Sequence, residues 1–191
     1  MTGARVSDAE TVVVVADPPW PHANGSRTNS GKSPKYALMN LAEIAALGPA
    51  VRQLAGGHAV LYLWVTGPHL PGGVEVLSAW GFIYRSFHVW RKRRIACGYW
   101  SRSNSEIVLV GERGRPSKPT PGSLMPSAFD GDPADRGHSS KPDTLHGNAE
   151  RLWPGAAKVE LFAREAVAGW RCYGSDLGSL LTPSGVQEVG A

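Results

Sequence analysis

Short apolar, β-branched runs bounded by turn residues predict strands at 11–16 (TVVVVA), 58–66 (HAVLYLWVT), 82–90 (FIYRSFHVW), 105–110 (SEIVLV) and 158–163 (KVELFA). A weaker sixth lies at 170–173. The first run is apolar on both faces, as a central strand of a covered parallel sheet must be. After it, Leu41, Ile44, Ala45, Leu47, Val51 and Leu54 fall near helical spacing, with Asn40 placed to cap the helix. Gly48-Pro49 should kink that helix or split it in two. Shorter helices are predicted at 73–80 and 143–153. Strands alternating with helices predict an α/β sheet with helices on its faces.

Three stretches lack either period. Residues 21–35 are polar and rich in Gly, Ser and Asn; 113–137 are dense in Pro and Gly; 178–191 form a tail expected to fray. The second stretch reads either as a disordered loop or as a mobile substrate-binding loop. A length of 191 residues with 42% hydrophobic content fits one domain with a sizeable core. The start of the chain lacks a signal-peptide pattern, and no apolar run reaches bilayer length. Cys97 and Cys172 show no metal or redox spacing, and the six histidines form no metal-ligand pattern. The expectation is a cytoplasmic protein with no metal and no membrane partner.

Charge adds one feature. Arg91, Lys92, Arg93 and Arg94 are consecutive within a chain of net charge +4. Such a run is either a solvated basic loop or a contact for phosphate backbones.

Asp17-Pro18-Pro19-Trp20 follows the first strand directly. In open α/β sheets, ligands bind beyond the carboxyl ends of the strands. An aromatic exocyclic amine such as adenine N6 is a poor nucleophile, because its lone pair is delocalised into the ring. Two acceptors on its N–H groups would localise that lone pair, and Asp17 with the Pro18 carbonyl offers two. Pro18 and Pro19 fix φ and keep the acceptors aimed. Trp20 offers a flat surface on which an extruded base can stack. The same four residues also read as a strand end, a Pro-Pro turn and a packed aromatic.

This motif resembles the signature of the β-type N6-adenine methyltransferases. The resemblance continues through Tyr36-Ala37-Leu38-Met39, Leu63-Trp64-Val65-Thr66, Ala79-Trp80-Gly81-Phe82 and Val89-Trp90-Arg91-Lys92. It runs on through Gly98-Tyr99-Trp100 with Arg102 and Glu106, then Val110-Gly111-Glu112-Arg113-Gly114. It ends with His138-Ser139-Ser140-Lys141-Pro142, Glu160-Leu161-Phe162-Ala163-Arg164, Gly169-Trp170 and Gly174-Ser175-Asp176. The chain looks most like the short phage and bacterial DNA enzymes, and it is related to the mRNA adenosine methyltransferase.

The resemblance implies a single Rossmann-like methyltransferase domain over 1–177, with its sheet in permuted motif order: catalytic half first, cofactor half last. It implies S-adenosylmethionine as cofactor, bridging the ends of the first strand and of 158–163. Lys141 and Ser139 would suit the cofactor carboxylate, and Asp17 its cationic end. Arg164, Ser175 and Asp176 would suit the ribose, with Phe162 packing nearby and Glu160 orienting Lys141. Tyr36 and the run Arg91, Lys92, Arg93 and Arg94 would meet the substrate. Two places depart from the family: Ser175-Asp176 where it has Asn-Glu or Asn-Gln, and Glu165-Ala166-Val167 where a His or Asn often sits. Three functional readings follow: adenine methylation in DNA, which leads; the same chemistry on RNA or a free adenine nucleoside or nucleotide; and a catalytically silent nucleic-acid adaptor. The enzyme would act as a monomer or homodimer. Trp64, Trp80 and Trp90 read as core.

Overall fold

Five of the first six residues of the leading apolar run are buried, because helices cover the sheet on both sides. The computed structural model describes residues 10–21, 37–96, 100–132 and 141–188. That run is strand β1 (Thr11–Ala16), followed by α1 (Leu41–Ala46), α2 (Gly48–Ala55), β2 (His58–Val65) and α3 (Leu70–Ala79). Next come β3 (Ile83–Ala96), β4 (Ser103–Arg113), β5 (Ala128–Asp130), α4 (Thr144–Leu152), β6 (Ala157–Leu161) and β7 (Arg171–Tyr173). The last strands are β8 (Ser179–Thr182) and β9 (Gly185–Glu188).

Seven strands form one sheet in the order β5-β3-β4-β2-β1-β6-β7. β1 pairs in parallel with β2 on one side and β6 on the other. β4 alone runs against the rest, because it returns from β3 as an antiparallel partner. Strand parity builds two cores. Val14 and Ala16 pack with Ile44, Val51, Val76 and Leu77 under α1 to α3. Val13 and Val15 pack with Leu145, Ala149 and Leu152 of α4. Each such Val, Leu or Ile side chain contributes roughly 1.5–3 kcal/mol when fully buried. Among the described residues no helix is long and apolar enough to cross a membrane.

Helix signals placed the first helices well. Asn40 and Glu43 form a reciprocal capping box, with Glu43 N donating to Asn40 Oδ1 at 2.9 Å and Asn40 N to Glu43 Oε2 at 2.7 Å. Pro49 opens α2 in its first turn, so the expected helix is two helices. The third helix begins at Leu70 rather than Gly73, since Pro71 is tolerated in a first turn.

Four expectations are corrected. The basic run lies on β3, not on a loop, because β3 keeps pairing with β4 through Arg91. Among the described residues of 113–137, the chain is tied down despite its prolines. Ser117 N donates to Thr11 Oγ1, Thr120 N to Leu152 O, and 128–130 pair with β3 through the buried Phe129. The tail 178–191 is expected to fray, but its described part, 178–188, folds back as the β8–β9 hairpin, which turns at Pro183-Ser184 and places Leu181 against the core. The strand expected at 158–163 ends at Leu161, because Phe162 adopts φ +64° and leaves the ladder.

Candidate active site

β1 lies between the next strand in sequence, β2, and a strand from late in the chain, β6. Their shared end is therefore the point where strand order reverses, the usual place for a ligand crevice in such sheets. Ala16 sits opposite Leu161, and Asp17 N donates to Leu161 O at 3.4 Å, so the two strand ends lie level. Pro18 and Pro19 have no N–H and cannot extend the ladder. The loop closes on itself instead: Trp20 N donates to Pro18 O at 2.8 Å and Met39 N to Pro19 O at 2.9 Å. A carbonyl has two lone pairs, so Pro18 O keeps one for a further donor.

Beside this loop lies a crevice that is open to solvent at its mouth. Its walls include Asp17, Trp64, Lys141, His146, Glu160, Phe162 and Arg164. Lys141 stands just ahead of α4 and donates to Asp17 Oδ2 at 2.7 Å. It also faces Glu106 Oε2 at 3.3 Å and lies 5.5 Å from the centre of the Trp64 ring. Glu106 is in turn bound by Lys92.

Burial pushes the Asp17 carboxyl above the usual carboxylate value, and the pull of Lys141 in the other direction does not cancel it. For Lys141 the balance reverses. Desolvation drives its ammonium down, but Asp17 and Glu106 outweigh that, and its pKa lies above the ordinary lysine value. Lys141 occupies only part of the acceptor capacity of Asp17, since a carboxylate offers about four lone-pair positions.

The expected site residues separate cleanly. Asp17, Lys141, Glu160, Phe162 and Arg164 share the crevice. Phe162 is a non-glycine residue in the left-handed region, a conformation that costs on the order of 1 kcal/mol or more and is held by its surroundings. Ser139 and Tyr36 lie outside the described residues. Ser175 and Asp176 form an exposed turn after β7 and are not part of the crevice wall.

Glu160 does not orient Lys141, as was expected of it. It accepts from His146 at 3.1 Å, while Asp17 and Glu106 hold Lys141. Glu160 sits level with Val15 of β1 and Cys172 of β7 and meets His146 of α4, whereas Glu106 comes from β4. Trp20 does not offer an open face. It is only 8% exposed, its Nε1–H donates to Trp64 O at 2.9 Å, and His69 stacks on it at 5.7 Å and 19°. Desolvation lowers the His69 pKa, which favours the neutral ring.

The basic run divides. Arg91 pairs with Asp130 at 2.6 Å and Arg93 with Asp132 at 3.1 Å, on an exposed surface, while Arg94 is exposed. Lys92 turns inward to Glu106. Trp64, Trp80 and Trp90 are buried as expected, and Trp64 also walls the crevice.

Two side chains of the site had been given no role by the sequence, Glu106 and His146. Glu106 carried a readable signal. It shares strand parity with Val108, so it faces the core, and a core-facing carboxylate must be paired. His146 had none: its ring packs edge-on to Trp170 at 4.6 Å, and among the described residues its Nδ1 is buried without a partner.

Comparison with known proteins agrees with this arrangement. The MT-A70 family matches residues 11–176. A type II methyltransferase, M.MunI, from Mycoplasma sp is 27% identical over 184 residues, 86% of this chain and 77% of that protein. The N(6)-adenosine-methyltransferase catalytic subunit METTL3 of Homo sapiens is 32% identical over 163 residues, 80% of this chain and 25% of that protein. The N(6)-adenosine-methyltransferase MT-A70-like of Arabidopsis thaliana is 32% identical over 178 residues, 86% of this chain and 23% of that protein. This chain thus spans about a quarter of these plant and animal relatives and most of the Mycoplasma one. The match runs from the first residue of β1 to the turn after β7 and takes in the Asp17 loop and Lys141, so the chain belongs to the MT-A70 family.

Proposed function

We propose that this chain methylates the exocyclic N6 amine of adenine in DNA, with S-adenosylmethionine as methyl donor. The observation that carries the reading is Asp17, a partly buried carboxylate at the end of β1, held by Lys141 in a mixed-charge crevice.

The crevice has the donor set such a cofactor needs. Lys141 and Arg164 offer cations for a carboxylate and hydroxyls, Asp17 and Glu160 offer acceptors for an ammonium, and Phe162 offers an apolar wall. Bound there, S-adenosylmethionine supplies an electrophilic methyl on a sulfonium. The chain does the rest. Asp17 and Pro18 O accept from the two N–H groups of the target amine and localise its lone pair. Because both acceptors are fixed before substrate arrives, they stabilise the positive charge that builds on nitrogen without reorganising. The methylated amine is strongly acidic while it carries four bonds, so no strong base is needed. An adenine in a duplex has to be turned out of the stack to reach this loop.

Labelled S-adenosylmethionine incubated with duplex DNA, single-stranded DNA, RNA or adenosine monophosphate, followed by identification of the product nucleoside, tests the reading directly. DNA is favoured because the relative whose length this chain mostly spans is named a type II methyltransferase. Methylation of RNA alone would move the substrate assignment, and no labelled N6-methyladenine in any arm would end the proposal.

Two further outcomes are expected. Lys141→Ala and Arg164→Ala should each weaken S-adenosylhomocysteine binding about tenfold or more, since a charge-assisted hydrogen bond contributes roughly 1.5–3 kcal/mol. Calorimetry showing wild-type affinity in both variants would remove them from cofactor binding. Replacing Arg91, Arg93 and Arg94 together with Ala should weaken DNA binding evenly across sequences. It should also make the salt dependence shallower, by about 0.9 of a log–log unit per lost duplex contact. Arg91 and Arg93 begin paired with Asp130 and Asp132, but exposed pairs of this kind are weak and exchange readily for phosphate. A flat salt response with efficient methylation of the mononucleotide would defeat the polymer reading.

A further inference from the structure

Strand parity sends the members of the basic run in different directions. Lys92 shares its face of β3 with the buried Trp90, and its ammonium lies 5.2 Å from the centre of that ring. There it donates to Oε1 of Glu106, a residue only 9% exposed. The other oxygen, Oε2, faces Lys141 at 3.3 Å, and Lys141 donates to Asp17 Oδ2 at 2.7 Å. The Trp64 and Trp90 rings, edge to face at 5.9 Å, each lie under one of the two ammonium groups. Four charges of alternating sign therefore run from the basic strand to the reactive loop over an aromatic floor.

We propose that Lys92 is a positioning residue for methyl transfer, acting on Asp17 through Glu106 and Lys141, rather than a phosphate contact. The inference rests on the adenine-methyltransferase reading above. In a poorly hydrated site each charge competes for partners that water would otherwise replace. Glu106 has one cation on each oxygen, so its claim on Lys141 is partial and Lys141 stays shared with Asp17. Without Lys92, the full charge of Glu106 falls on Lys141, which is drawn toward it and away from Asp17. Asp17, already biased by burial toward its neutral form, then loses the cation that keeps it ionised and ceases to be the better acceptor.

The test compares wild type with Lys92→Met, which keeps the stem and drops the charge, and Lys92→Arg, which restores a charge. Steady-state methylation of an oligonucleotide is expected to show kcat lowered about tenfold or more in the Met variant, with KM for the nucleic acid and the salt slope of binding unchanged. The Arg variant should recover most of the rate. A raised KM and a shallower salt slope at unchanged kcat would make Lys92 a phosphate contact and overturn the proposal. An equal loss of kcat in both variants, tracking a lower melting temperature, would make it merely structural and also overturn it. A second readout needs no turnover. The side-chain ε-carbon NMR signal of Lys141 should shift in the Met variant and return in the Arg variant. An unmoved signal defeats the proposal even if the wild type methylates nothing, whereas an absent methyl product in the wild type speaks only against the functional reading.

Discussion

Asp17→Ala is expected to lower methyl transfer by at least about a hundredfold while the protein stays folded, as is typical when one preorganised hydrogen-bonding group is removed from a transition state. The fold should survive because Asp17 lies beyond the last residue of β1 and its side chain belongs to the crevice, not to either core. Lys141 loses one partner but keeps Glu106. Circular dichroism and a thermal melt alongside turnover separate the two effects, and a folded variant with near-normal turnover would remove Asp17 from the mechanism. The pH dependence gives a second check. Asp17 accepts from the amine best when ionised, and its pKa is raised by burial, so turnover should fall with acid at a pH above the ordinary carboxylate value of 3.8. The linkage to stability has the opposite sign. A carboxyl with a raised folded-state pKa favours the fold when protonated. Its contribution is fully present below the unfolded pKa and is lost as pH rises through the folded one. For this group, then, acid should cost activity while favouring the fold.

Elements set by local rules were readable from the residues alone. The apolar run at 11–16, the Asn40 cap and the Gly48-Pro49 break each depend on neighbours in sequence, and each sits where expected. What escaped was decided by partners far along the chain. The basic run became strand because β4 offers it a ladder, which four adjacent cations do not announce. Ser117 and Thr120 anchor a Pro-rich segment through Thr11 and Leu152, at separations of 106 and 32 residues. The same holds within the site. The Asp17 loop was legible because strand-end position and residue type coincide, and Lys141 through family resemblance. The pairing of Lys141 with Glu106 rather than Glu160 depends on which strand faces α4, and sequence order does not give that.

Trp20→Ala should destabilise the protein before it reveals anything about base stacking. The indole is 8% exposed and packs with Ile44, Leu63 and Val76 in the core under α1 to α3. Its Nε1–H is spent on Trp64 O at 2.9 Å, and His69 covers one face. Truncating a buried Trp to Ala costs about 3–5 kcal/mol. At roughly 2–4 °C per kcal/mol for a domain of this size, the melting temperature should fall by roughly 10 °C. Trp20→Phe separates packing from the hydrogen bond. It keeps a ring against His69 but leaves the Trp64 carbonyl without its donor, at a cost of about 1–3 kcal/mol. It should therefore melt between wild type and the Ala variant. Assayed well below both transitions, the Phe variant should retain most of its turnover. In that case Trp20 acts by holding Pro18 and Pro19 in place from beneath, and the adenine meets another surface. The contrary result would be a Trp20→Ala protein that melts like wild type yet has lost its rate. That would mean the ring leaves the core to stack on the extruded base, with His69 holding its place until substrate arrives.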